Sequence, residues 1–202
     1  MLFALIAVVV LTLGAVALVR SVDTGMLILG NLGFRRDAMS ASSRAAQKAV
    51  EWLQAQGTAT LQGDVAGAGY YATAVANLAP VDTVTSDAHP VSLVDWNGDS
   101  CGGASLSATR LCLKPSPEVT MDDGNNKVSF VITRLCSVIG PGGSSRPCVL
   151  PIKAGTALSA DRGAYSDIGR PEAVSNDTFY RIITRVKGSR DTVVYTETLL
   201  HF

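Results

Sequence analysis

The chain has 202 residues, of which 47% are apolar, and its 17 basic side chains balance its 17 acidic ones. This length suits one modest domain, and the apolar content excludes a disordered chain. Because zero net charge removes the basic surface on which nucleic-acid binding depends, no nucleic-acid partner is expected. Residues 1–56 contain no proline or cysteine, whereas residues 57–202 contain all eight prolines and all four cysteines. Two physically different parts are therefore expected.

Residues 1–19 carry no charged side chain and are predicted to form the membrane-spanning half of an N-terminal helix. At about 1.5 Å per residue this segment reaches roughly 28 Å, close to the hydrocarbon thickness of about 30 Å. A cleaved secretory signal is the alternative, because Ala15 and Ala17 form an A-x-A-like cleavage site. The apolar run is longer than a usual signal core and the helical pattern continues beyond Arg20. A retained anchor is therefore favoured.

The charges around this segment give a conflicting orientation. The nearest basic residues, Arg20, Arg35 and Arg36, all follow the apolar run, which by the positive-inside rule places the rest of the chain in the cytoplasm. The cysteines instead indicate an oxidising compartment. Both observations are satisfied if a short basic leader ending in glycine precedes Met1, and we expect the gene to encode one.

Residues 20–56 are predicted to continue the helix as its amphipathic half, because they lack proline and are rich in strong helix formers. The predicted buried stripe consists of Ile28, Leu32, Met39, Ala46, Val50 and Leu53. The predicted solvent face consists of Arg35, Arg36, Asp37, Arg44, Lys48 and Glu51. With Gly57 as a left-handed cap, one unbroken rod of about 84 Å spans residues 1–56. The glycines that indicate bends or close helix packing in this rod are Gly14, Gly25, Gly30 and Gly33.

Residues 57–202 are predicted to form a small globular domain in which the periodicity changes from helical to alternating. The predicted strands are 127–136, 179–186, 192–202 and, more weakly, 108–113. Residues 187–191 suit a hairpin loop, residues 91–96 suit a short helix with Trp96 as an apolar anchor, and Tyr70 and Tyr71 are expected to pack on the core. An antiparallel sheet of three or four strands needs an apolar cover, which the N-terminal helix supplies. The predicted fold class is therefore α+β.

Four cysteines, Cys101, Cys112, Cys136 and Cys148, lie in this domain and are predicted to form two disulfides. Three connectivities are open, and sequence proximity favours joining the first to the second and the third to the fourth. A zinc site would need tighter cysteine pairs than these.

Side-chain chemistry for catalysis is sparse, and a non-enzymatic protein without a cofactor is expected. The two histidines, His89 and His201, stand in no catalytic motif. Three residues, Asp95, Asn97 and Asp99, alternate as oxygen ligands do in calcium loops, but Ser100 and Leu106 occupy positions that favour glycine and glutamate. A solvated turn is the preferred interpretation, with weak calcium binding as the alternative.

Several short motifs together resemble the PilX-type minor pilins of bacterial type IV pili, in particular their β-proteobacterial members. In the helix they are Leu-Thr-Leu-Gly-Ala at 11–15 and Leu-Gly-Asn-Leu at 29–32 followed by Arg35 and Arg36, so that Gly30, Asn31, Arg35 and Arg36 form the family-like element. In the domain they are Gly-Tyr-Tyr-Ala at 69–72, Arg-Leu-Cys at 134–136, and Tyr-Arg-Ile at 180–182 with Gly188 and Val-Val-Tyr at 193–195. One departure is that many pilins carry glutamate five residues into the mature chain, whereas the first acidic residue here is Asp23.

The resemblance implies a type IV pilin-like fold and a role in pilus assembly or initiation, and so in twitching motility, adhesion or aggregation. It implies other minor pilins and the major pilin as partners through the N-terminal helix, together with a tip adhesin and the inner membrane. The expected location is the inner membrane, with the domain in the periplasm, and later the extracellular pilus. A type II secretion pseudopilin and a membrane-anchored periplasmic binding domain are the alternatives.

Overall fold

A computed structural model describes residues 2–81, 91–103, 111–121, 124–141, 148–149, 152–153, 172–173 and 178–201. Helix α1, Leu2–Ala55, is one continuous α-helix of 54 residues, which corresponds to about 81 Å. The prediction of an unbroken rod through Arg20 is therefore confirmed. The predicted left-handed cap at Gly57 is wrong, because Gly57 does not have a positive φ. The chain continues instead into a 3-10 turn in which the amides of Thr60 and Leu61 both donate to the Gly57 carbonyl, at 3.0 and 3.3 Å.

Nine strands follow the helix in the described part of the chain. They are β1 Tyr70–Tyr71, β2 Leu93–Val94, β3 Cys112–Leu113, β4 Val119–Thr120, β5 Lys127–Arg134, β6 Ile152–Lys153, β7 Glu172–Ala173, β8 Phe179–Lys187 and β9 Val193–His201. The main sheet has the order β1-β5-β8-β9, and β4 also pairs with β5. Because β1 runs parallel to β5, the sheet is mixed and has five strands, which corrects the expectation of three or four antiparallel ones. Strands β2 and β3 form a small parallel sheet, and β6 and β7 a small antiparallel one.

The three long strands lie where alternating apolar residues predict them. Strands β5 and β8 pair antiparallel from Lys127 opposite Lys187 to Arg134 opposite Tyr180. Strands β8 and β9 form the predicted hairpin, whose connection contains a 3-10 turn at Ser189–Asp191. The α+β architecture, a long helix on a sheet, is thus present.

The short helix predicted at 91–96 is wrong. Leu93 and Val94 are instead strand residues that pair with Cys112 and Leu113. This pairing joins segments distant in sequence, which a local helical pattern does not reveal. Trp96 is buried as expected, and its indole donates to the Pro80 carbonyl at 3.0 Å. Of the weak strand predicted at 108–113, residues 112–113 are confirmed, and 108–110 lie outside the described residues.

Helix α1 contacts the sheet through small side chains. Ala38, Ala41, Ala45 and Ala49 are fully buried, and Leu53 continues their line. Their spacing of three or four residues keeps them on one helix face. They pack in two clusters against the same face of β5 and β8. Because alanine extends so little from the backbone, the helix lies close to the sheet.

The buried stripe predicted from sequence is therefore wrong in its N-terminal part. Ile28, Leu32 and Met39 are at least half exposed, whereas Leu53 is buried and Ala46 and Val50 are half-buried at the flank. The first two precede the stretch of helix that the sheet covers, and Met39 lies beside the alanine line. The predicted solvent face is confirmed, since all six of its residues are exposed.

The far face of the sheet is covered by the loops that precede β5. Val131 and Ile183 on this face contact Leu78, Val94 and Trp96. The two disulfides join Cys101 to Cys112 and Cys136 to Cys148, the pairing that sequence proximity favours. The first fastens part of the covering layer, and the second holds the chain that leaves β5.

Candidate assembly surface

The N-terminal part of α1 presents apolar side chains to its surroundings along its whole length. Phe3 is 88% exposed, Leu11 72% and Ile28 57%, and no described side chain between residues 2 and 33 is buried. So large a continuous apolar surface requires a cover other than water. The helix is long and apolar enough to cross a membrane. A surface of this kind is suited to contact with lipid or with other helices.

Glycines in this exposed part are not required by packing within the subunit. A methyl group added at Gly14, Gly25, Gly30 or Gly33 would meet no atom within 4 Å. Each glycine nevertheless costs about 1 kcal/mol relative to alanine in a helix interior. The bends or close packing by another helix that these glycines indicate stay a prediction.

The family-like element lies where the exposed rod reaches the domain. Gly30, Asn31, Arg35 and Arg36 are all exposed. Asn31 and Arg35, with Met39, line a cleft of about 490 Å³ between α1 and the start of β9 at residues 192–196. This cleft continues the exposed surface of the rod onto the sheet.

Two polar contacts fix α1 at the end of the domain nearest the rod. The Asn126 side chain is fully buried, and its Nδ2 donates to Asp37 Oδ2 at 2.8 Å. The guanidinium of Arg190 lies over the ring of Phe34, 5.0 Å from its centroid, in the range of a cation–π contact. Because neither partner of α1 is local in sequence, these contacts could not be predicted from residue spacing.

An aromatic cluster fixes the other end of the helix. The rings of Trp52 and Tyr70 lie 5.6 Å apart, and the buried Tyr70 hydroxyl donates to the Leu61 carbonyl at 2.7 Å. Burial raises the pKa of Tyr70 well above its usual range. The Tyr71 hydroxyl lies 3.1 Å from the Lys114 carbonyl oxygen. Both tyrosines therefore pack on the core, as predicted.

Close packing in this region leaves no room for a side chain at Gly69, which has a φ of 73°. An added Cβ would collide with the backbone nitrogen of Ser116 and lie 2.6 Å from the Phe130 carbonyl oxygen. Glycine is therefore required for β1 to lie beside β5.

The calcium candidates have hydrogen-bond partners within the protein. Asp95 Oδ1 accepts from the Asp99 amide at 2.9 Å, and Asp99 Oδ1 accepts from the Gly102 amide at 3.0 Å. Asn97 Oδ1 accepts from Arg185 Nη2 at 3.1 Å. These three residues therefore lie in a hydrogen-bonded turn, and weak calcium binding there stays a prediction.

Among the residues that the structure describes, the remaining candidate groups do not gather into a reactive site. His201 contacts the ring of Phe179 edge-on at 5.2 Å, and His89 lies outside the described residues. Within the part of the chain that the structure describes, no three His, Cys, Asp or Glu residues are grouped as metal ligands would be. Compared with known proteins, the chain matches no family model, and no curated protein or solved structure is significantly similar to it.

Proposed function

We propose that this protein is a minor pilin: a non-enzymatic, inner-membrane-anchored subunit that takes part in the assembly or initiation of a type IV pilus. The observation that carries the proposal is the division of α1 into two halves. The N-terminal part, residues 2–33, exposes apolar side chains, and the C-terminal part is docked on the sheet through alanines. A subunit built in this way can keep its domain outside the lipid while the same helix remains available to other helices.

In the proposed cycle, the membrane-spanning half of the helix, residues 2–19, is stored in the membrane with the domain in the periplasm. During assembly it exchanges lipid for the corresponding helices of other pilins, an exchange that leaves its apolar surface covered throughout. Residues 2–19 contain no carboxylate, so charge pairing inside this segment cannot set the register between subunits. Apolar side-chain packing has that role.

The globular domain suits a position on the outside of such a fibre. Its two disulfides support an oxidising compartment. The docked half of α1 is held at both ends, by Asp37 near the rod and by Trp52 near its C-terminus. Movement of the rod would therefore carry the domain with it.

Deletion of the gene tests the proposal. The proposal expects reduced surface piliation and, with it, reduced twitching motility, adhesion or aggregation. Re-expression of the full chain should restore piliation, whereas a chain whose residues 2–19 are replaced by an unrelated transmembrane helix should not. Normal piliation, motility and aggregation in the deletion strain would remove the proposal.

The same strain separates the alternatives. A pseudopilin predicts normal piliation with impaired type II secretion, and secretion genes as neighbours. A periplasmic binding domain predicts normal piliation in the deletion strain, with no piliation defect for either chain to restore.

A further inference from the structure

Arg134, at the end of β5, is a buried cation. Its side chain is only 5% exposed. Its Nη1 donates to the carbonyl oxygens of Gly140 at 2.7 Å and Leu61 at 3.4 Å. Its Nε is buried without a hydrogen-bond partner. Among the described residues, no carboxylate lies within ion-pair distance of it. Buried charges in proteins are normally paired, because an unpaired one costs several kcal/mol of desolvation.

The neighbouring polar groups do not neutralise this charge. Arg134 interacts electrostatically with Tyr70 and Tyr180, and burial raises the pKa of both phenols, so they stay protonated at neutral pH. The two carbonyls that Arg134 contacts are neutral. The guanidinium therefore keeps an uncompensated positive charge within the described part of the domain.

Arg134 also lines a cavity of about 570 Å³ at the C-terminal end of α1. This volume falls in the range of small-molecule sites, which combine apolar walls with a few polar groups. The apolar wall is formed by Leu53, Leu61 and Pro141, and the polar groups include Thr58, Thr178 and Tyr180. The composition suits a ligand with an apolar body and one charged group.

We propose that this cavity is a carboxylate-binding site, in which Arg134 pairs with the carboxylate of a ligand whose apolar part contacts Leu53 and Leu61. The planar guanidinium fork matches a carboxylate in shape as well as in charge. The site is independent of the membrane-spanning half of α1 and of the proposed role in a pilus. Two sources could present the same chemistry: a free small carboxylic acid, or an acidic side chain of an extended peptide segment.

Binding to the full-length chain in detergent tests the site, with calorimetry as the readout. The free-acid probe is N-acetyl-leucine, and its control is N-acetyl-leucinamide, which has the same apolar body without the charge. The peptide probe carries one internal aspartate between blocked termini, and its control carries asparagine. The proposal expects binding of at least one acid and no measurable binding of its amide. The acid that binds identifies the source of the carboxylate. If neither acid binds, the proposal is overturned.

Substitutions assign the binding to the cavity. Arg134→Met should weaken acid binding by about tenfold or more, the loss expected for one charge-assisted pair. Arg181→Met is the matched control: it removes an arginine that already pairs with Glu197 at 2.8 Å, and it should leave binding unchanged. If Arg134→Met fails to fold, Thr58→Trp tests the cavity while the arginine stays in place. The larger side chain should fill the cavity and block acid binding. Equal binding by wild type and Thr58→Trp contradicts the assignment.

A double-mutant cycle excludes a counter-ion from the chain itself. Asp177 precedes the cavity residue Thr178 in sequence and lies outside the described residues. If Asp177 pairs with Arg134, the two substitutions remove the same interaction and their effects on stability are coupled; if it does not, the effects are independent. The proposal therefore expects additive changes in Tm for Arg134→Met and Asp177→Asn. A strong coupling between the two would show that Asp177 is the partner and would overturn the proposal.

Discussion

Docking of α1 on the domain depends on the contact between Asp37 and Asn126, and the substitution Asn126→Asp tests it. The wild-type amide donates to the carboxylate at 2.8 Å from a fully buried position. A hydrogen bond to a charged group contributes about 1.5–3 kcal/mol, and the variant replaces it with two facing carboxylates. Because Asp37 is exposed, water screens part of their repulsion. We expect a total loss of about 2–4 kcal/mol at pH 7.

Thermal unfolding of the full chain in detergent measures this loss through the fluorescence of Trp52 and Trp96. The matched control is Asn125→Asp, which adds the same charge at the exposed neighbouring position. The loss of folding stability in Asn126→Asp should become smaller at acid pH, because protonation of one carboxyl restores a hydrogen-bond donor. Exchange of the two groups in Asp37→Asn with Asn126→Asp restores the hydrogen bond but buries the carboxylate, so it should recover only part of the stability. If Asn126→Asp is as stable as its control, or if the exchange recovers nothing, the docking argument is refuted.

Three further results are expected from unfolding measurements on the same preparation. Gly69→Ala should lower stability by about 2–4 kcal/mol through backbone strain and collision, whereas Gly63→Ala, which meets no atom within 4 Å, should change it little. Because burial raises the folded-state pKa of Tyr70, its stabilising contribution is complete below the unfolded pKa of about 10 and is lost as pH rises above it. A Tm unchanged between pH 9 and 11 would contradict that reasoning. Replacing Cys136 and Cys148 with serine should cost about 3 kcal/mol, as expected for a loop of this length, and reductant should then have less effect on Tm than in wild type.

The sequence predicts well those elements whose signal is local. The continuous helix follows from a long stretch without proline, and β5, β8 and β9 follow from alternating apolar residues. The disulfide pairing agrees with proximity in sequence because each pair closes a short loop.

Elements set by distant contacts were predicted less well. The strand at Leu93 pairs with Cys112, 19 residues away, and carries no alternating pattern of its own. The sequence pattern predicts a docking face of α1 made mainly of larger apolar residues, because alanine gives a weak hydrophobic signal. A search for small residues at spacings of three and four would have found Ala38, Ala41, Ala45 and Ala49.

Charged and polar residues of the candidate sites were the hardest to predict. Arg134 ends a strand and has no acidic residue at a regular spacing, so the sequence does not predict that its side chain is buried. Its burial results from the loops that close over the end of α1. The sequence around Asn126 indicates a turn, and the contact of Asn126 with Asp37 joins residues 89 positions apart.

The proposal that the exposed half of α1 serves first as a membrane anchor and then as the core of a fibre can be tested with a crosslinker at Leu11. The four native cysteines form two disulfides, so Leu11→Cys supplies a distinct reactive thiol on the 72% exposed apolar surface. The account predicts adducts with other pilin subunits in the fibre fraction, absent from the wild-type chain treated in parallel. Intact fibres without any such adduct, from cells in which the variant is present in the membrane, would contradict it.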